Sequence, residues 1–523
     1  MSKDTLQRSD TGQDLAATRD GAVPLQMPLD LRRDTLLFTL ILAVAALLLT
    51  INPLGYFGGH WDDGRYLEAA QAWAAHGPAL GANHWSLRWP VIAPTALAIR
   101  WFGLSRATLM LPGLATLAAV LTVCFWATRR QFGAAVAALA CLALLTTPEP
   151  MRAATRLTAD LPELLFWSSA LWAFWFGRDG NRGWLLTAGV AAACAWATRE
   201  TGLGLLLLFA LAFVAGFGPR RVDYGWIAAG FVAVWLPEQL ALWAASGDPL
   251  YRIHVDMRHI EIASNDLAGG TAPGASAPLN AGLMRRWSGA GPLRLHWALD
   301  PWLNLFINPA YGLDVVLAAL GLAWLRRGRL QARSLAAVVG AIAASNVACT
   351  VYIIATDPKP RMFMPAIGAA CLLLAVVAFA LWSHGYRRVL IAAAAIKLIA
   401  LLVMLDVATG YSDLPALTRA ALAAAPGPVH VDSFTASALA LVDADLRARL
   451  TTSLPDRQAL YLTAGKLADY TGSDAPPTDH GWQIIRRAHS SRVPVTIRLG
   501  QALGLAPAYR YPALYVTLYR RLD

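Results

Sequence analysis

The sequence predicts an all-α polytopic membrane bundle of about 11 transmembrane helices, followed by a small C-terminal α/β extracytoplasmic domain. Of the 523 residues, 57% are hydrophobic and only 15% are charged, whereas soluble globular proteins have about 25% charged residues. Apolar runs of about 20 residues, the length that crosses a bilayer, recur along the chain. After residue 407 the hydrophobicity falls and short alternating runs begin, at 429–434, 482–486 and 514–520, around helix-like stretches such as 437–450. This pattern indicates the final α/β domain.

Arginine doublets between the apolar runs predict the topology. The predicted spans are 35–52, 107–128, 133–150, 161–177, 184–198, 202–217, 224–245, 303–325, 334–355, 362–382 and 389–407. Doublets such as Arg129/Arg130 and Arg220/Arg221 fall at alternate span ends, and the positive-inside rule places those ends in the cytoplasm. A crossing at 89–103 would invert this order, so we expect that segment to lie along the outer interface.

This topology divides the chain into three parts. Residues 1–34 are polar and mixed in charge, which predicts a disordered cytoplasmic tail. Residues 35–407 form the membrane domain, and 408–523 form the periplasmic domain, in a bacterial-type inner membrane with the N-terminus in the cytoplasm. Four polar stretches fall together on the outer face: 53–106, 151–160, 246–301 and 356–361.

Composition argues against several classes of partner. The net charge of +11 is compatible with nucleic-acid binding, but the arginines lie in doublets between apolar runs, so no nucleic acid is expected. All five cysteines lie in apolar runs and are interpreted as small core residues, not as disulfides or metal ligands. No cofactor is expected, and a metal is not obviously required.

An acidic pair follows the first span. Asp62 and Asp63 begin a segment whose apolar residues recur at helical spacing. An aspartate at this position is most simply an N-cap, which satisfies free backbone N–H groups. Alternatively, a partly desolvated carboxylate at the membrane surface acts as a general base. The local sequence favours the cap, and the wider pattern decides.

That pattern is a series of short motifs that share the outer side of the predicted topology. They are Asp62-Asp63-Gly64-Arg65-Tyr66, Leu87-Arg88-Trp89-Pro90, Arg156-Leu157-Thr158-Ala159-Asp160-Leu161-Pro162, Thr198-Arg199-Glu200 and Pro360-Arg361-Met362-Phe363-Met364-Pro365. The series resembles the GT-C superfamily of membrane glycosyltransferases, close to the protein O-mannosyltransferases and lipid A aminoarabinose transferases of glycosyltransferase families 39 and 83. One departure is Arg88, since close relatives have a lysine before the interfacial helix.

The resemblance implies inverting transfer of a sugar from a polyprenyl-phosphate donor. The acceptor would be lipid A or lipopolysaccharide, another envelope glycan, a lipid or a protein. Asp62 or Asp63 would be the catalytic base. Donor and phosphate binding would involve Arg65, Arg88, Arg156, Asp160, Arg199, Lys359 and Arg361.

Two other classes stay open at this point. A transporter or lipid flippase would need ionisable residues near the midplane, broken helices and an inverted repeat, and the candidates in the spans are Lys397 and Glu238. A non-catalytic subunit of an envelope glycan assembly system would keep the fold without the chemistry. Arginines at span ends, including Arg88, Arg156 and Arg199, could also simply extend toward lipid headgroups.

Overall fold

The computed structural model describes most of the membrane domain and parts of the C-terminal domain. The described residues are 30–51, 61–257, 300–308, 311–325, 340–341, 345, 360–407, 414–423, 426–431, 448–451, 460–464, 481–489, 498–499, 502–503 and 515–522. The predictions for the tail 1–29, for most of the span 334–355 and for residues 258–299 of the long loop lie outside them.

The membrane domain is helical throughout its described part. Its helices are α1 (Leu31–Ile51), α2 (Trp61–His76), α3 (Trp89–Phe102), α4 (Arg106–Phe132), α5 (Ala134–Leu145), α6 (Pro148–Ala153), α7 (Asp160–Gly177), α8 (Arg182–Thr198), α9 (Leu203–Val214), α10 (Tyr224–Ser246), α11 (Tyr251–Met257), α12 (Asp300–Ile307), α13 (Gly312–Leu325), α14 (Met364–Ser383) and α15 (Arg387–Val407). Short 3-10 turns, Glu200–Gly202, Arg221–Asp223 and Pro360–Phe363, precede α9, α10 and α14.

Several of these helices can cross a bilayer. Among the described residues, four segments are long and apolar enough: Leu31–Thr50, Arg106–Phe132, Arg221–Ser246 and Arg361–Ser383. Shorter apolar helices are Ala134–Leu145, Glu200–Val214 and Gly312–Gly321. The chain is therefore a multi-pass membrane protein, and the figure of about 11 spans stays a prediction. Helix α3 has 14 residues and measures about 21 Å, which is less than the hydrocarbon thickness and fits an interfacial position.

Two predicted spans are wrong as continuous helices. The span 133–150 ends as a helix at Leu145, and a separate short helix begins at Pro148, because proline cannot continue the backbone hydrogen-bond ladder. The span 303–325 is divided into α12 and α13 at Asn308–Tyr311. There the N–H of Gly312 donates to the carbonyl of Asn308 at 2.6 Å, and a Cβ at Gly312 would overlap the backbone of Phe306.

The arginine doublets meet at one end of the bundle. Arg129 near the end of α4 pairs with Asp34 at the start of α1, at 2.7 Å. The guanidinium of Arg130 lies 4.7 Å from the ring centroid of Phe176 in α7, and that of Arg182 lies 5.4 Å from the ring centroid of Trp226 in α10. The predicted alternation of spans requires these proximities. That this end faces the cytoplasm stays a prediction.

Helices α8 and α10 cross at a mutual glycine contact. A Cβ at Gly189 in α8 would overlap the carbonyl of Ile227, and a Cβ at Gly230 in α10 would overlap the carbonyl of Leu186. Each backbone thus fills the space that a side chain would need on the other helix. The crossing fixes the relative position of these two helices.

The C-terminal part contains a five-stranded mixed sheet. Its strands are β1 (Val429–Val431), β2 (Leu450–Thr451), β3 (Leu460–Ala464), β4 (Trp482–His489) and β5 (Tyr515–Arg521), in the order β2-β1-β3-β5-β4. Strand β1 is parallel to β2 and β3, and β5 is antiparallel to β3 and β4. Helix α16 (Leu414–Leu422) packs on β4 and β5. The runs predicted at 429–434, 482–486 and 514–520 coincide with strands, while the helix predicted at 437–450 lies mostly outside the described residues.

Candidate active site

A polar cluster lies at the end of the bundle opposite the arginine doublets. Helix α7 begins there with Asp160, and α8 ends there before Arg199, whereas the other ends of these two helices carry Arg178 and Arg182. We define the polar cluster by its described residues: Asp62, Asp63, Tyr66, Arg88, Arg156, Asp160, Glu163, Arg199, Glu200, Arg252, Asp256 and Arg361. They come from segments far apart in sequence, as the shared side of the motifs predicted.

Asp62 stands in the first turn of α2 and has two polar partners. Its Oδ1 accepts a hydrogen bond from Nε1 of Trp85 at 2.9 Å, and its Oδ2 pairs with Nη2 of Arg361. Helix α2 is held in place by its apolar face, where Tyr66 and Leu67 are buried. Asp62 therefore contacts a residue that enters the cluster from the far end of the membrane domain.

Asp63 lies in a different environment, although it is the next residue. Its side chain is buried, with 1% relative exposure, and its Oδ2 has no hydrogen-bond partner among the described residues. Arg156, between α6 and α7, is the cation that acts on it most strongly.

These surroundings shift the pKa values of the two carboxyl groups in opposite directions. Burial alone would raise the pKa of Asp62, but the positive charges of Arg361, Arg88 and Arg199 outweigh it and hold that pKa far below its ordinary value. Burial raises the pKa of Asp63 well above its ordinary value; the attraction of Arg156 does not cancel this, and the charge of Asp62 adds to it. Asp62 is therefore favoured as the ionised carboxylate, whereas the protonated form of Asp63 is stabilised.

Arg88 is buried and bound by two other segments. Its Nη2 donates to both carboxylate oxygens of Glu200, at 3.0 and 2.8 Å, and its Nη1 donates to the hydroxyl of Tyr66 at 2.6 Å. Arg88 directly precedes α3. The interaction therefore ties α2 and α3 to the turn between α8 and α9. Glu200 stood in the Thr-Arg-Glu motif, but its pairing with Arg88 was not predicted.

Arg199 joins the end of α8 to the start of α7. It is buried and pairs through Nη1 with Oδ1 of Asp160 and, at 3.3 Å, with Oε2 of Glu163. Thr158 and Thr201 donate to the second oxygens of these two carboxylates. Glu163 is fully buried and was missed by the sequence analysis. Its spacing of three residues from Asp160, which puts both on one helix face, was the available signal.

Arg252 in α11 is a further buried arginine of the cluster, and it was not predicted from the sequence. It pairs with Glu238 of α10 and donates to the carbonyls of Trp196 and Ala197 at 3.0 and 3.1 Å. Asp256 lies 3.7 Å from the Nε of Arg252. Burial, with the repulsion of nearby Glu200, raises the pKa of Asp256 to about 8. These contacts fix the entrance of the long loop 246–301 against the cluster.

Three predicted site residues remain: Arg156, Arg65 and Lys359. Arg156 is half-buried and acts electrostatically on Asp63. Arg65 donates to Glu68 on the same helix at 3.3 Å, a pair that leaves Glu68 56% exposed. Lys359 lies outside the described residues, so its predicted role is untouched by the structure. Among the described residues, no group of three or more His, Cys, Asp or Glu has a metal-binding arrangement.

Lys397 has a partner inside the bundle, which the sequence analysis did not find. Its Nζ pairs with Oδ1 of Asp314 at the start of α13 and lies 3.4 Å from Oγ1 of Thr147. The hydroxyl of Thr147 donates to the other oxygen of Asp314 at 2.8 Å. Hydropathy averaged over the run 303–325 conceals this single aspartate. The pair anchors α13 and α15 to the residue just before α6.

An apolar cavity of about 390 Å³ lies within the helical bundle. Its walls include Trp167 of α7, Leu208 of α9 and Pro365 of α14. Pro365 lies one turn after Arg361, while Gln131, also in the wall, neighbours the arginine doublet of α4. The cavity thus extends along the bundle between its two polar ends.

Comparison with known proteins gives one family match. Residues 95–237 match the family model described as dolichyl-phosphate-mannose-protein mannosyltransferase. This segment includes α4 and α7–α9, and with them Arg156, Asp160 and Arg199. No curated protein sequence matches the chain significantly.

Solved structures share the architecture over nearly the whole chain. ArnT from Cupriavidus metallidurans bound to undecaprenyl phosphate has a TM-score of 0.51 and 14% identity, covering 92% of this chain and 97% of that one. Its apo structure has a TM-score of 0.52 and 15% identity, with the same coverage. The Archaeoglobus fulgidus oligosaccharyltransferase tethered to an acceptor peptide has a TM-score of 0.50 and 12% identity, covering 80% and 64%.

The resemblance to GT-C membrane glycosyltransferases is confirmed. The structural likeness shows the fold of these enzymes, and the family match covers residues 95–237, less than half of the chain. Neither comparison supports the transporter alternative. The intramembrane pair of Lys397 and Asp314 joins helices within the bundle.

Proposed function

We propose that this glycosyltransferase moves a sugar from a polyprenyl-phosphate donor to an envelope acceptor on the outer face of the inner membrane. The observation that carries the proposal is an ionised aspartate, Asp62, among arginines contributed by separate segments. Transfer of a sugar to a hydroxyl group, with phosphate as the leaving group, requires a base and positive charge near the phosphate. A carboxylate can act as the base, and permanently charged guanidinium groups supply the charge.

The donor class is supported by two further observations. The ArnT structure with the same fold is bound to undecaprenyl phosphate. In this chain, the apolar cavity has the chemistry to hold part of an isoprenoid chain, and Pro365 in its wall lies one turn after Arg361. We assign the cavity to the polyprenyl chain and the cluster to the phosphate and sugar.

The two aspartates take different roles in the proposed reaction. Asp62 accepts the proton of the acceptor hydroxyl while the hydroxyl oxygen attacks the anomeric carbon and the bond to the phosphate breaks. Asp63, whose pKa burial raises, is assigned as a neighbour of the base and not as the base itself. Arg361 and Arg156 stabilise the developing charge on the phosphate.

Two predicted phosphate ligands are better placed as supports. Arg88 and Arg199 are each bound by buried carboxylates, Glu200 in the first case and Asp160 with Glu163 in the second. Displacing those carboxylates would leave charges buried and unpaired. We therefore assign Arg88 and Arg199 to the positive potential and rigidity of the site, while direct contact with the phosphate falls to Arg361 and Arg156.

The acceptor is the open part of the proposal. Lipid A or lipopolysaccharide, another glycan, a lipid and a protein all present hydroxyl groups at this surface. Mass spectrometry of envelope lipids, glycans and proteins from a deletion strain identifies the acceptor as the species that lacks one sugar, and restoring the wild-type chain returns that sugar.

The base is tested in the same strain. Asp62→Asn should abolish the modification, because the amide is nearly isosteric but cannot accept a proton, and loss of a general base costs about 10²–10⁴ in rate. Asp63→Asn should lose less. Asp179→Asn, which alters an exposed residue at the other end of the bundle, is the control. Full modification with Asp62→Asn, at an equal amount of membrane protein, refutes Asp62 as the base. Full modification with both variants refutes the mechanism and favours a non-catalytic subunit.

A further inference from the structure

Both carboxylate oxygens of the proposed base are already occupied. Trp85 donates to Oδ1 at 2.9 Å, and Arg361 pairs with Oδ2. A general base must bring an oxygen within hydrogen-bond reach of the proton that it removes. The ion pair with Arg361 is also the main reason that the pKa of Asp62 is low despite its burial, and a weakly basic carboxylate is a poor proton acceptor. In this arrangement neither oxygen of Asp62 is available to an acceptor hydroxyl.

The two partners of Asp62 differ in how easily they can leave. Trp85 is buried, at 2% exposure, and its ring centroid lies 3.6 Å from that of His84. Its indole has a single N–H, which is directed at Asp62. The side chain of Arg361 is 23% exposed and belongs to a four-residue 3-10 turn at the start of α14. Its guanidinium group has five N–H donors and matches a phosphate as well as a carboxylate.

Two other arginines that act on Asp62 lack this freedom. Arg88 is 2% exposed and is bound by Glu200 and Tyr66, and Arg199 is 3% exposed and is bound by Asp160 and Glu163. Among the described arginines that act on Asp62, only Arg361 combines partial exposure with a direct bond to the proposed base.

We propose that Arg361 exchanges Asp62 for the phosphate of the lipid donor, so that donor binding releases the base. The inference rests on the proposed function and adds an order of events to it. Without donor, the Asp62–Arg361 pair is closed. With donor, Arg361 binds the phosphate, and Asp62, still oriented by Trp85, turns its second oxygen to the acceptor hydroxyl. During transfer the proton goes to Asp62, and the leaving phosphate stays paired with Arg361.

The exchange predicts an unusual effect of removing the base. In the wild type, the phosphate must compete with Asp62 for Arg361. In Asp62→Asn that competition is lost, so the variant should bind undecaprenyl phosphate on the order of tenfold more tightly while being inactive in transfer, since one charge-assisted hydrogen bond corresponds to about that factor. Arg361→Gln should bind it more weakly.

A double-mutant cycle separates exchange from a general charge effect. Binding of undecaprenyl phosphate is measured on the full-length chain in phosphatidylcholine nanodiscs, with wild type, Asp62→Asn, Arg361→Gln and the double variant. In the Arg361→Gln background, Asp62→Asn should add no affinity. Glu68→Gln removes an exposed charge from the same helix and should change affinity little.

Several results would overturn the exchange. They are equal or weaker binding by Asp62→Asn, equal tightening with and without Arg361, or no loss of affinity in Arg361→Gln. If Asp62→Asn does not purify as a folded protein, Asp62→Ser removes the same charge. Binding requires no transfer, so the cycle holds or fails independently of the cellular test of the base. If Asp62→Asn restored the envelope modification in cells, the proposed mechanism would fail even with the cycle intact.

Discussion

Glu200→Gln tests whether the Arg88–Glu200 pair holds α2 and α3 against the rest of the bundle. Removing one partner of a buried ion pair costs about 3–5 kcal/mol, and here the exposures are 2% for Arg88 and 13% for Glu200. A second route gives a similar figure. Burial would raise the pKa of Glu200, but Arg88 and then Arg252 lower it from 4.5 to about 2, which corresponds to about 3 kcal/mol. Because glutamine can still accept one hydrogen bond, we expect a loss of about 3 kcal/mol in unfolding free energy.

The pH dependence of this loss follows from the same shift. A carboxylate with a depressed folded-state pKa contributes its full stability above the unfolded value and loses it as the pH falls toward the folded value. The difference between wild type and Glu200→Gln should therefore be complete above pH 4.5 and decrease as the pH approaches about 2. Denaturant unfolding of the detergent-solubilised protein at pH about 7 and about 3.5 measures the full difference and its partial loss.

The matched control is a pair that water screens. Arg178 and Asp179 are 3.8 Å apart and Asp179 is 86% exposed, so Asp179→Asn should have little effect. Adding Arg88→Met to Glu200→Gln should recover part of the loss, because the uncompensated buried charge is then removed. A Glu200→Gln variant as stable as Asp179→Asn at neutral pH would refute the argument that this pair fixes α2 and α3.

Two further predictions concern the bundle and its orientation. Lys397→Met leaves Asp314 buried without its cation and should lower unfolding free energy by about 3–5 kcal/mol, with part recovered by adding Asp314→Leu; thermal unfolding in detergent measures both, and an unaffected Lys397→Met would show that the pair is dispensable. Single cysteines replacing His76 and Asp179 in a cysteine-free chain should differ on intact spheroplasts, with only the first labelled by an impermeant thiol reagent; the opposite pattern would invert the topology.

Much of the fold was predictable because apolar run length and arginine position are properties of the sequence. They gave α4, α7, α8, α10, α14 and α15 close to their observed bounds. The breaks before Pro148 and at Asn308 were missed, since hydropathy averages over a window and cannot register where a backbone ladder stops. In the C-terminal part, the alternation that predicted β4 and β5 is a local pattern, whereas their place in the sheet order depends on distant pairing.

The sequence predicted which site residues share one face of the membrane domain, but not which of their side chains pair. Motif order placed Asp62 and Arg361 on one face, and they are in contact. The bonds of Arg88 to Glu200 and of Arg199 to Glu163 depend on the rotation of each helix about its axis, which no spacing within a single segment determines. The contrast between Asp62 and Asp63 was likewise out of reach, because neighbours on a helix point in different directions and meet different surroundings.

The glycine crossing of α8 and α10 has a consequence at a distance. Helix α8 ends just before Arg199, and Arg252 lies in α11, which follows α10. The close contact of α8 and α10 at Gly189 and Gly230 therefore helps to set where these two arginines lie. A methyl group at either glycine would push the helices apart and would spread or tilt their polar ends. Two buried glycines therefore influence the spacing of residues in the polar cluster. A substitution at either glycine can change the geometry of the cluster without changing any charged group.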